Sequence, residues 1–191
     1  MNSINLKTKL VIVVVLSLMF VGCSSDDTKP TTGGSNPFPF VKVGNEWEYE
    51  NNNDPDDCFK SKIVSKNGNV FRIELEKDGM SLPGGDYWFA NNTYWKKSTD
   101  ASGNGGFVIF YKNYFVGQEW EFDHYGSKTG EVVSVSETVT VPAGTFNNCI
   151  KVQISIGEGG IDYYYYWIDK NVGIIMVEEG SHIEKLKSKN F

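Results

Sequence analysis

Alternation of apolar and polar side chains with a period of two is the feature that most constrains how residues 37–191 fold. In residues 70–77, Phe71, Ile73 and Leu75 alternate with polar residues, as in a strand that turns one face to a core. Two further runs alternate in the same way, and their apolar members are Val133, Val135, Val139, Val141, Ile150, Val152, Ile154 and Ile156. Gly, Asn, Asp and Pro separate such runs, and helical periodicity is nearly absent. The pattern predicts a single all-β domain, an antiparallel meander that forms a rolled sheet or partly open barrel of about ten strands.

One hairpin also has a predictable register. Residues 59–66 and 70–77 are joined by Asn67-Gly68-Asn69, which is a strong hairpin signal. A two-residue loop would set Lys62 opposite Ile73 and place a charge on the core face. We therefore expect a three-residue loop that sets Ile63 opposite Ile73.

An internal echo divides the domain. Residues 43–49 (VGNEWEY) reappear as residues 116–122 (VGQEWEF), and residues 87–89 (YWF) are echoed more weakly by residues 166–168 (YWI). The echo predicts two related halves of about five strands each, packed into one sheet or barrel. The alternative is that the same residues start unrelated strands for the same local reason.

The first residues carry a targeting pattern. Lys7 and Lys9 precede a short apolar run, residues 10–21, which predicts a secretory signal peptide. Residues 20–23 (FVGC) resemble the bacterial lipobox, and this implies a signal peptide over residues 1–22 and lipidation of Cys23. Residues 23–36 are polar and predict a flexible acidic tether. An ordinary signal peptide with an incidental cysteine is the alternative.

Export would leave Cys58 and Cys149 in an oxidising compartment once Cys23 is acylated. A cysteine pair in such a compartment can form a lasting bridge, so a Cys58–Cys149 disulfide is expected. The alternative is two buried free thiols.

Several kinds of chemistry have little support in the sequence. The formal charge of −6 argues against a nucleic-acid partner, because nucleic-acid affinity is largely cationic. His124 and His182 fit no zinc or triad pattern, and no phosphate loop or dinucleotide fingerprint is present, so we expect no cofactor and no enzyme. Asp54, Asp56 and Asp57 offer oxygen ligands for Ca²⁺, but without EF-hand spacing, and a solvated turn is the simpler interpretation.

Aromatic side chains make up 14% of the chain and suggest a binding surface. In the run of residues 163–167 (YYYYW), Tyr163, Tyr165 and Trp167 face one way. Together with aromatic residues on related strands they predict a patch for a small apolar ligand or a glycan; those residues are Tyr87, Trp88 and Trp95. The alternative is that these rings only fill the core.

Three segments together carry a family resemblance: residues 43–47, residues 140–152 (TVPAGTFNNCIKV) and residues 166–174. They resemble an uncharacterised family of Bacteroidota-type surface lipoproteins. The resemblance implies a curved sheet similar in outline to lipocalins and lipoprotein carriers, without known catalytic residues. Asp26 and Asp27 look like the acidic tether of lipoproteins sent to the cell surface.

These observations predict a lipoprotein held in the outer membrane by its N-terminal lipid, at the cell surface rather than in the periplasm. Its expected role is non-catalytic binding of an apolar or lipidic ligand. Carbohydrate or protein recognition through the Tyr/Trp patch is the second interpretation. A hydrolase is the third, and it would require carboxylates or a histidine gathered in a pocket.

Overall fold

Thirteen antiparallel strands form one sheet in the computed structural model, which describes residues 38–82, 86–91, 93–102, 106–121, 128–156 and 162–191. The described strands are β1 (Glu46–Asn51), β2 (Asp54–Asn67), β3 (Val70–Lys77), β4 (Met80–Ser81), β5 (Asp86–Ala90), β6 (Tyr94–Ser98), β7 (Phe107–Tyr111), β8 (Glu119–Glu121), β9 (Lys128–Val141), β10 (Gly144–Ile156), β11 (Asp162–Asp169), β12 (Gly173–Glu179) and β13 (His182–Lys189). The predicted signal peptide, the tether with Cys23, and His124 lie outside the described residues.

The sheet curls into a nearly closed barrel. Its strand order is β7-β6-β5-β3-β2-β1-β13-β12-β11-β10-β9-β8, and β4 pairs with β3 outside this path. No backbone pairing joins β7 to β8 among the described residues, so an unsealed seam remains there. The Trp120 indole N–H crosses the seam and donates a 3.0 Å hydrogen bond to the Val108 carbonyl. The all-β antiparallel prediction is confirmed, although the strand number exceeds the expected ten.

The barrel consists of two six-strand meanders, and the strong echo marks where each begins. The amides of Gly44 and Gly117 donate 2.8 Å hydrogen bonds to the carbonyls of Ile63 and Val132. Both glycines have positive φ, 95° and 85°, which other residues rarely adopt. The repeated sequence therefore makes the same backbone turn at the start of β1 and β8. This shared geometry supports the interpretation of two related halves.

The β2–β3 hairpin has the predicted register but not the predicted loop. Ile63 lies opposite Ile73, as expected. Asn67 pairs directly with Val70, so the turn holds two residues, and an irregularity between Ile63 and Ser65 restores the apolar pairing. A bulge inside β2 thus does what a longer loop was expected to do.

Strand β9 departs from the predicted face. Val139 and Val141 are buried as expected, but Val132 is fully buried and Val135 is 37% exposed. Register shifts between β9 and β10 change which parity faces the core partway along the strand. The apolar members of β10 whose side chains are described, Ile150, Val152 and Ile154, are buried as predicted.

The described core lies in one unit of the chain. The chain divides into Met1–Gly34 and Ser35–Phe191, and the second unit holds every described strand and every side chain described as buried. A unit with its own core is expected to fold without the preceding residues. In the part of the chain described above, no helix is long and apolar enough to cross a membrane.

Candidate ligand-binding cavity

A cavity of about 510 Å³ lies inside the barrel. This volume falls in the range of about 300–1,000 Å³ that is typical of small-molecule sites. Residues on the inward face of the sheet line the cavity. They come from strands β1, β2, β3, β5, β6, β7, β11, β12 and β13. The period-two alternation along each strand therefore determines which side chains face the cavity.

Aromatic rings form much of the wall. Trp88 on β5 and Trp95 on β6 meet edge to face at 4.9 Å, and Tyr49 stacks on Phe59 at 5.2 Å. Ile109, Leu75 and Ile174 add aliphatic surface. Such a wall offers a ligand large apolar contact with little conformational freedom to lose.

The segment Phe38–Val41 fills one end of the barrel. Phe40 is fully buried and lies 5.0 Å from the Trp95 ring and 6.5 Å from the Trp47 ring. The Asn45 side-chain amide donates a 2.8 Å hydrogen bond to the Phe40 carbonyl, which fixes the segment in place. The cavity is therefore closed beyond Trp95.

The opposite end, here called the mouth, is polar. The β1–β2, β3–β4 and β12–β13 hairpins meet there, because antiparallel neighbours turn at the same end of a sheet. The charged lining residues cluster at this end: Asp57, Lys77, Asp86, Lys97, Glu179, His182 and Glu184. The His182 side chain is 42% exposed, so water reaches the mouth.

Two ion pairs occupy both lysines of the lining. Lys77 Nζ lies 2.6 Å from Asp57 Oδ1, and Lys97 Nζ lies 2.8 Å from Asp86 Oδ2. The hydrogen bond and charge of Lys77 lower the pKa of the Asp57 carboxyl below its usual value. The two lysines are therefore committed to carboxylates of neighbouring strands.

His182 lies between an amide and a carboxylate. Asn51 Nδ2 is 3.1 Å from His182 Nδ1, and His182 Nε2 is 3.3 Å from Glu184 Oε1. With the amide placed in this way, Nδ1 accepts a hydrogen bond from Asn51 and Nε2–H donates one to Glu184. The mouth therefore gathers carboxylates and a histidine, as the hydrolase interpretation requires. Neither ring nitrogen is directed at a hydroxyl or thiol among the described residues, so this histidine forms no nucleophile–base pair there.

Two tyrosines, Tyr49 and Tyr166, line the cavity wall beneath the acidic residues of the mouth. Burial, and to a lesser degree the charge of Glu184, raises the pKa of Tyr49 well above its usual range. Burial also raises the pKa of Tyr166, with smaller contributions from Glu184, Glu179 and Tyr164. Both phenols stay protonated at neutral pH. The Tyr49 hydroxyl donates a 3.0 Å hydrogen bond to the Ile174 carbonyl and holds β1 against β12 across β13.

The six aromatic residues predicted to bind ligand do not form one patch. Trp88 and Trp95 line the cavity. Tyr87 alternates with Trp88 along β5 and lies opposite Arg72, on the other side of the sheet. The remaining three, Tyr163, Tyr165 and Trp167, alternate with the cavity residue Tyr166 and form an outer row.

The outer row carries a cation on its rings. Lys151 Nζ lies 4.1 Å from the Tyr165 ring centroid and 4.6 Å from that of Trp167. Tyr163 at the end of the row is 43% exposed, whereas Trp167 is 7% exposed. Trp88 and Trp167 are the matching tryptophans of the weaker sequence echo, and they lie on corresponding strands of the two halves. Trp88 nevertheless faces the cavity, whereas Trp167 faces outward.

The cavity also contains residues that the sequence analysis did not single out. Tyr49, Phe59 and Tyr166 supply rings, while Glu179 and Glu184 supply charge. Tyr49 shares a strand face with the conspicuous Trp47, and parity alone would have placed it inside. The acids carried no such signal, because an acid near a hairpin normally belongs to a solvated face.

The expected disulfide is absent from this structure, and both Cys58 and Cys149 are free thiols. Strands β1, β13, β12 and β11 lie between β2 and β10 in the sheet. Neighbouring strands are about 4.8 Å apart, whereas the Cα atoms of bridged cysteines lie within about 7 Å of each other, so the pair is too far apart along the sheet. Cys58 Sγ instead lies 3.1 Å from Lys187 Nζ.

The three aspartates considered for Ca²⁺ have separate contacts. Asp54 Oδ1 accepts a hydrogen bond from the Asp56 amide at 3.1 Å, while Asp57 pairs with Lys77 at the mouth. Within the described residues, no group of three or more His, Cys, Asp or Glu side chains is arranged to hold a metal ion.

Comparison with known proteins identifies solved structures with a similar fold. No protein-family model matches the chain, and no curated protein does. A candidate exported protein with a YmcC-like fold from Bacteroides fragilis is 14% identical with a TM-score of 0.53, over 78% of this chain and 97% of that one. A candidate lipoprotein from Parabacteroides distasonis is 15% identical with a TM-score of 0.51, over 81% of this chain and 98% of that one.

At these identities the likeness shows a shared fold, which extends over about four fifths of this chain and nearly the whole of each matched protein. Both come from the bacterial group to which the sequence resemblance pointed. The motif of residues 140–152 stays a prediction, because the comparisons are made on the fold.

Proposed function

We propose that this protein is an exported lipoprotein, anchored through Cys23, that binds a small molecule with an apolar body inside its barrel and does not catalyse a reaction. The cavity carries the proposal: it is about 510 Å³, walled by aromatic rings, closed at one end and polar at the other. That combination of an apolar wall and a few polar groups is typical of ligand sites.

The anchoring part of the proposal has separate support. Residues 20–23 resemble a lipobox, and residues 23–36 suit a tether between a membrane and a folded domain. The two proteins that share the fold are described as an exported protein and a lipoprotein. We place the protein in the outer membrane, facing the cell surface, because of the acidic residues that follow Cys23.

A probe and a pair of variants test the binding role. N-phenylnaphthylamine is uncharged, and its emission rises in apolar surroundings, so it reports an accessible apolar cavity. We expect it to bind a soluble form that begins at Ser24. Leu75→Trp enlarges a half-buried lining residue and should weaken probe binding by about tenfold.

Val135→Trp is the matched control, since it places the same ring on an exposed residue of β9 that does not line the cavity. It should leave probe binding within about twofold of the unmodified protein. Equal loss in both variants, or no binding by the unmodified protein, would argue against a ligand-binding cavity.

A second candidate function rests on the outer row of Tyr163, Tyr165 and Trp167. The Tyr163 and Tyr165 rings stack at 6.5 Å, and Tyr163 is substantially exposed. Exposed rings in a row suit a glycan or a protein surface. Tyr163→Ala and Tyr165→Ala would weaken such recognition without changing probe binding in the cavity.

A further inference from the structure

The charged groups of the cavity are unevenly compensated. The lining contains two lysines against four acids, Asp57, Asp86, Glu179 and Glu184. Asp57 and Asp86 each hold one of the lysines. Of the described residues, no lysine or arginine forms an ion pair with Glu179 or Glu184, and the Glu184 carboxylate contacts the His182 ring, at 3.3 Å from Nε2.

Both of these acids point toward the cavity from neighbouring strands. Glu179 lies opposite His182 in the β12–β13 register, and Glu184 lies opposite Asn51 in the β13–β1 register. The charge of Glu184 acts on the phenols of Tyr49 and Tyr166, and that of Glu179 acts on Tyr166. Glu184 is half-buried in the lining and Glu179 lies at its exposed rim, so a ligand at the mouth meets both charges.

The wall itself favours a positive charge. Rings of Tyr49, Phe59, Trp88 and Tyr166 surround the space between the mouth and Trp95. The face of an aromatic ring carries negative potential, so a cation placed over it is attracted, and more strongly once it has lost water. Aromatic walls with nearby carboxylates are the chemistry that recognises ammonium groups.

An anionic ligand meets the opposite situation. To pair with a carboxylate it would need Lys77 or Lys97, but each is already within 2.8 Å of an aspartate. Displacing either aspartate would only exchange one ion pair for another, so the lysines offer an anionic ligand no net gain in charge pairing. The arrangement therefore selects by charge as well as by apolar area.

We propose that the occupant of the cavity is a cationic amphiphile, with an amine or quaternary ammonium group held among Glu179, Glu184 and the aromatic rings, and an apolar chain against Trp88 and Ile109. This inference rests on the proposed binding function and names the charge class of its ligand.

Displacement of N-phenylnaphthylamine by three amphiphiles with the same alkyl chain tests it. Decyltrimethylammonium, decanol and decanoate, each used below its micelle concentration, differ only in head-group charge. We expect decyltrimethylammonium to displace the probe at a concentration about tenfold lower than decanoate, with decanol between them.

Glu179→Gln combined with Glu184→Gln removes both charges at nearly constant shape, and this preference should fall by about tenfold. Glu178→Gln is the matched control, since Glu178 alternates with Glu179 along β12 and does not line the cavity. It should keep the preference. Thermal unfolding of each variant checks that the fold is retained. The comparison of the three amphiphiles is made on the unmodified protein and so does not depend on any variant folding.

The outcomes separate the two proposals. If the probe binds and decanoate displaces it as well as or better than the ammonium compound, the cationic ligand class is wrong while the binding role stands. The same holds if the double variant keeps the full preference. If the probe does not bind the unmodified protein, the binding role itself fails, and the charge class fails with it.

Discussion

Cys58 and Cys149 occupy contrasting environments in the barrel. Cys58 is half-buried, with its sulfur 3.1 Å from the Lys187 ammonium. Cys149 is fully buried, and burial raises the pKa of its thiol to about 11. The thiolate is the reactive form, and at pH 8 such a thiol is ionised in only about one molecule in a thousand.

We therefore expect iodoacetamide at pH 8 to modify Cys58 in the folded protein and to modify Cys149 only in denaturant. The raised pKa also means that the folded state loses stability as pH rises above the pKa of the unfolded thiol, because the unfolded chain releases that proton first. Intact mass after labelling counts the modified thiols. Cys58→Ser should abolish labelling of the folded protein.

Equal labelling of both cysteines without denaturant would contradict the burial of Cys149. Labelling of neither, unless a reductant is added, would restore the disulfide that this structure lacks.

The predicted and observed faces differ most among the aromatic residues. Tyr163 to Trp167 place rings on both sides of β11, so the sequence shows that both faces are aromatic but not which one turns inward. The choice depends on strand neighbours: Tyr166 packs beside Ile174 and Val177 in the cavity, while Trp167 lies under Lys151 outside. Contacts of this kind join residues far apart in the chain and leave no local pattern.

Strand elements differ in how far their sequence determines them. The β2–β3 register was predictable, because only one alignment keeps Lys62 out of the core. The face change in β9 was not, because a bulge adds a residue without altering the visible alternation of Val with Ser and Thr. Alternation therefore identifies strands well and locates their irregularities poorly.

The repeated turns at the starts of β1 and β8 make a paired prediction. Gly44 and Gly117 have positive φ, and no atom lies within 4 Å of an added Cβ, so backbone strain alone should decide the effect. Gly44→Ala and Gly117→Ala should each lower the free energy of unfolding by about 1 kcal/mol or slightly more. Urea denaturation measures both.

Gly130 is the contrasting glycine, because a Cβ there would lie 2.6 Å from the Trp120 ring. Gly130→Ala should displace that ring from the seam and destabilise the fold more than either turn variant. Val135→Ala, at an exposed position, should change stability by less than about 0.5 kcal/mol. A neutral Gly117→Ala beside a costly Gly44→Ala would show that the two turns are not equivalent.

At the scale of the whole molecule, the internal echo explains the barrel and its seam. Leaving aside β4, each half supplies six of the described strands, and β1 pairs with β13 where the halves join. The corresponding junction between β8 and β7 is bridged by the Trp120–Val108 hydrogen bond. The echo predicted two halves, but nothing in it indicated that among the described residues this junction would rest on a side-chain hydrogen bond instead of strand pairing.

Lipid anchoring at Cys23 predicts the N-terminus and the mass of the mature protein. Purified from membranes, the protein should begin at Cys23, carry the mass of attached acyl chains, and incorporate labelled palmitate. Cys23→Ala should abolish incorporation and leave the protein unanchored. An intact mass that retains residues 1–22, or a mature chain without acyl groups, would contradict lipidation at Cys23.

Native mass spectrometry of the soluble form beginning at Ser24, purified from a bacterial periplasm, tests the binding role most directly. We predict a population with additional mass that is lost on denaturation, and its loss from the Leu75→Trp variant under the same conditions. The released compound, analysed in positive-ion mode, should contain an alkyl chain and a cationic nitrogen. A bare protein mass with no recoverable ligand, in a sample whose thermal unfolding shows an intact fold, would contradict the proposal that the barrel is a ligand carrier.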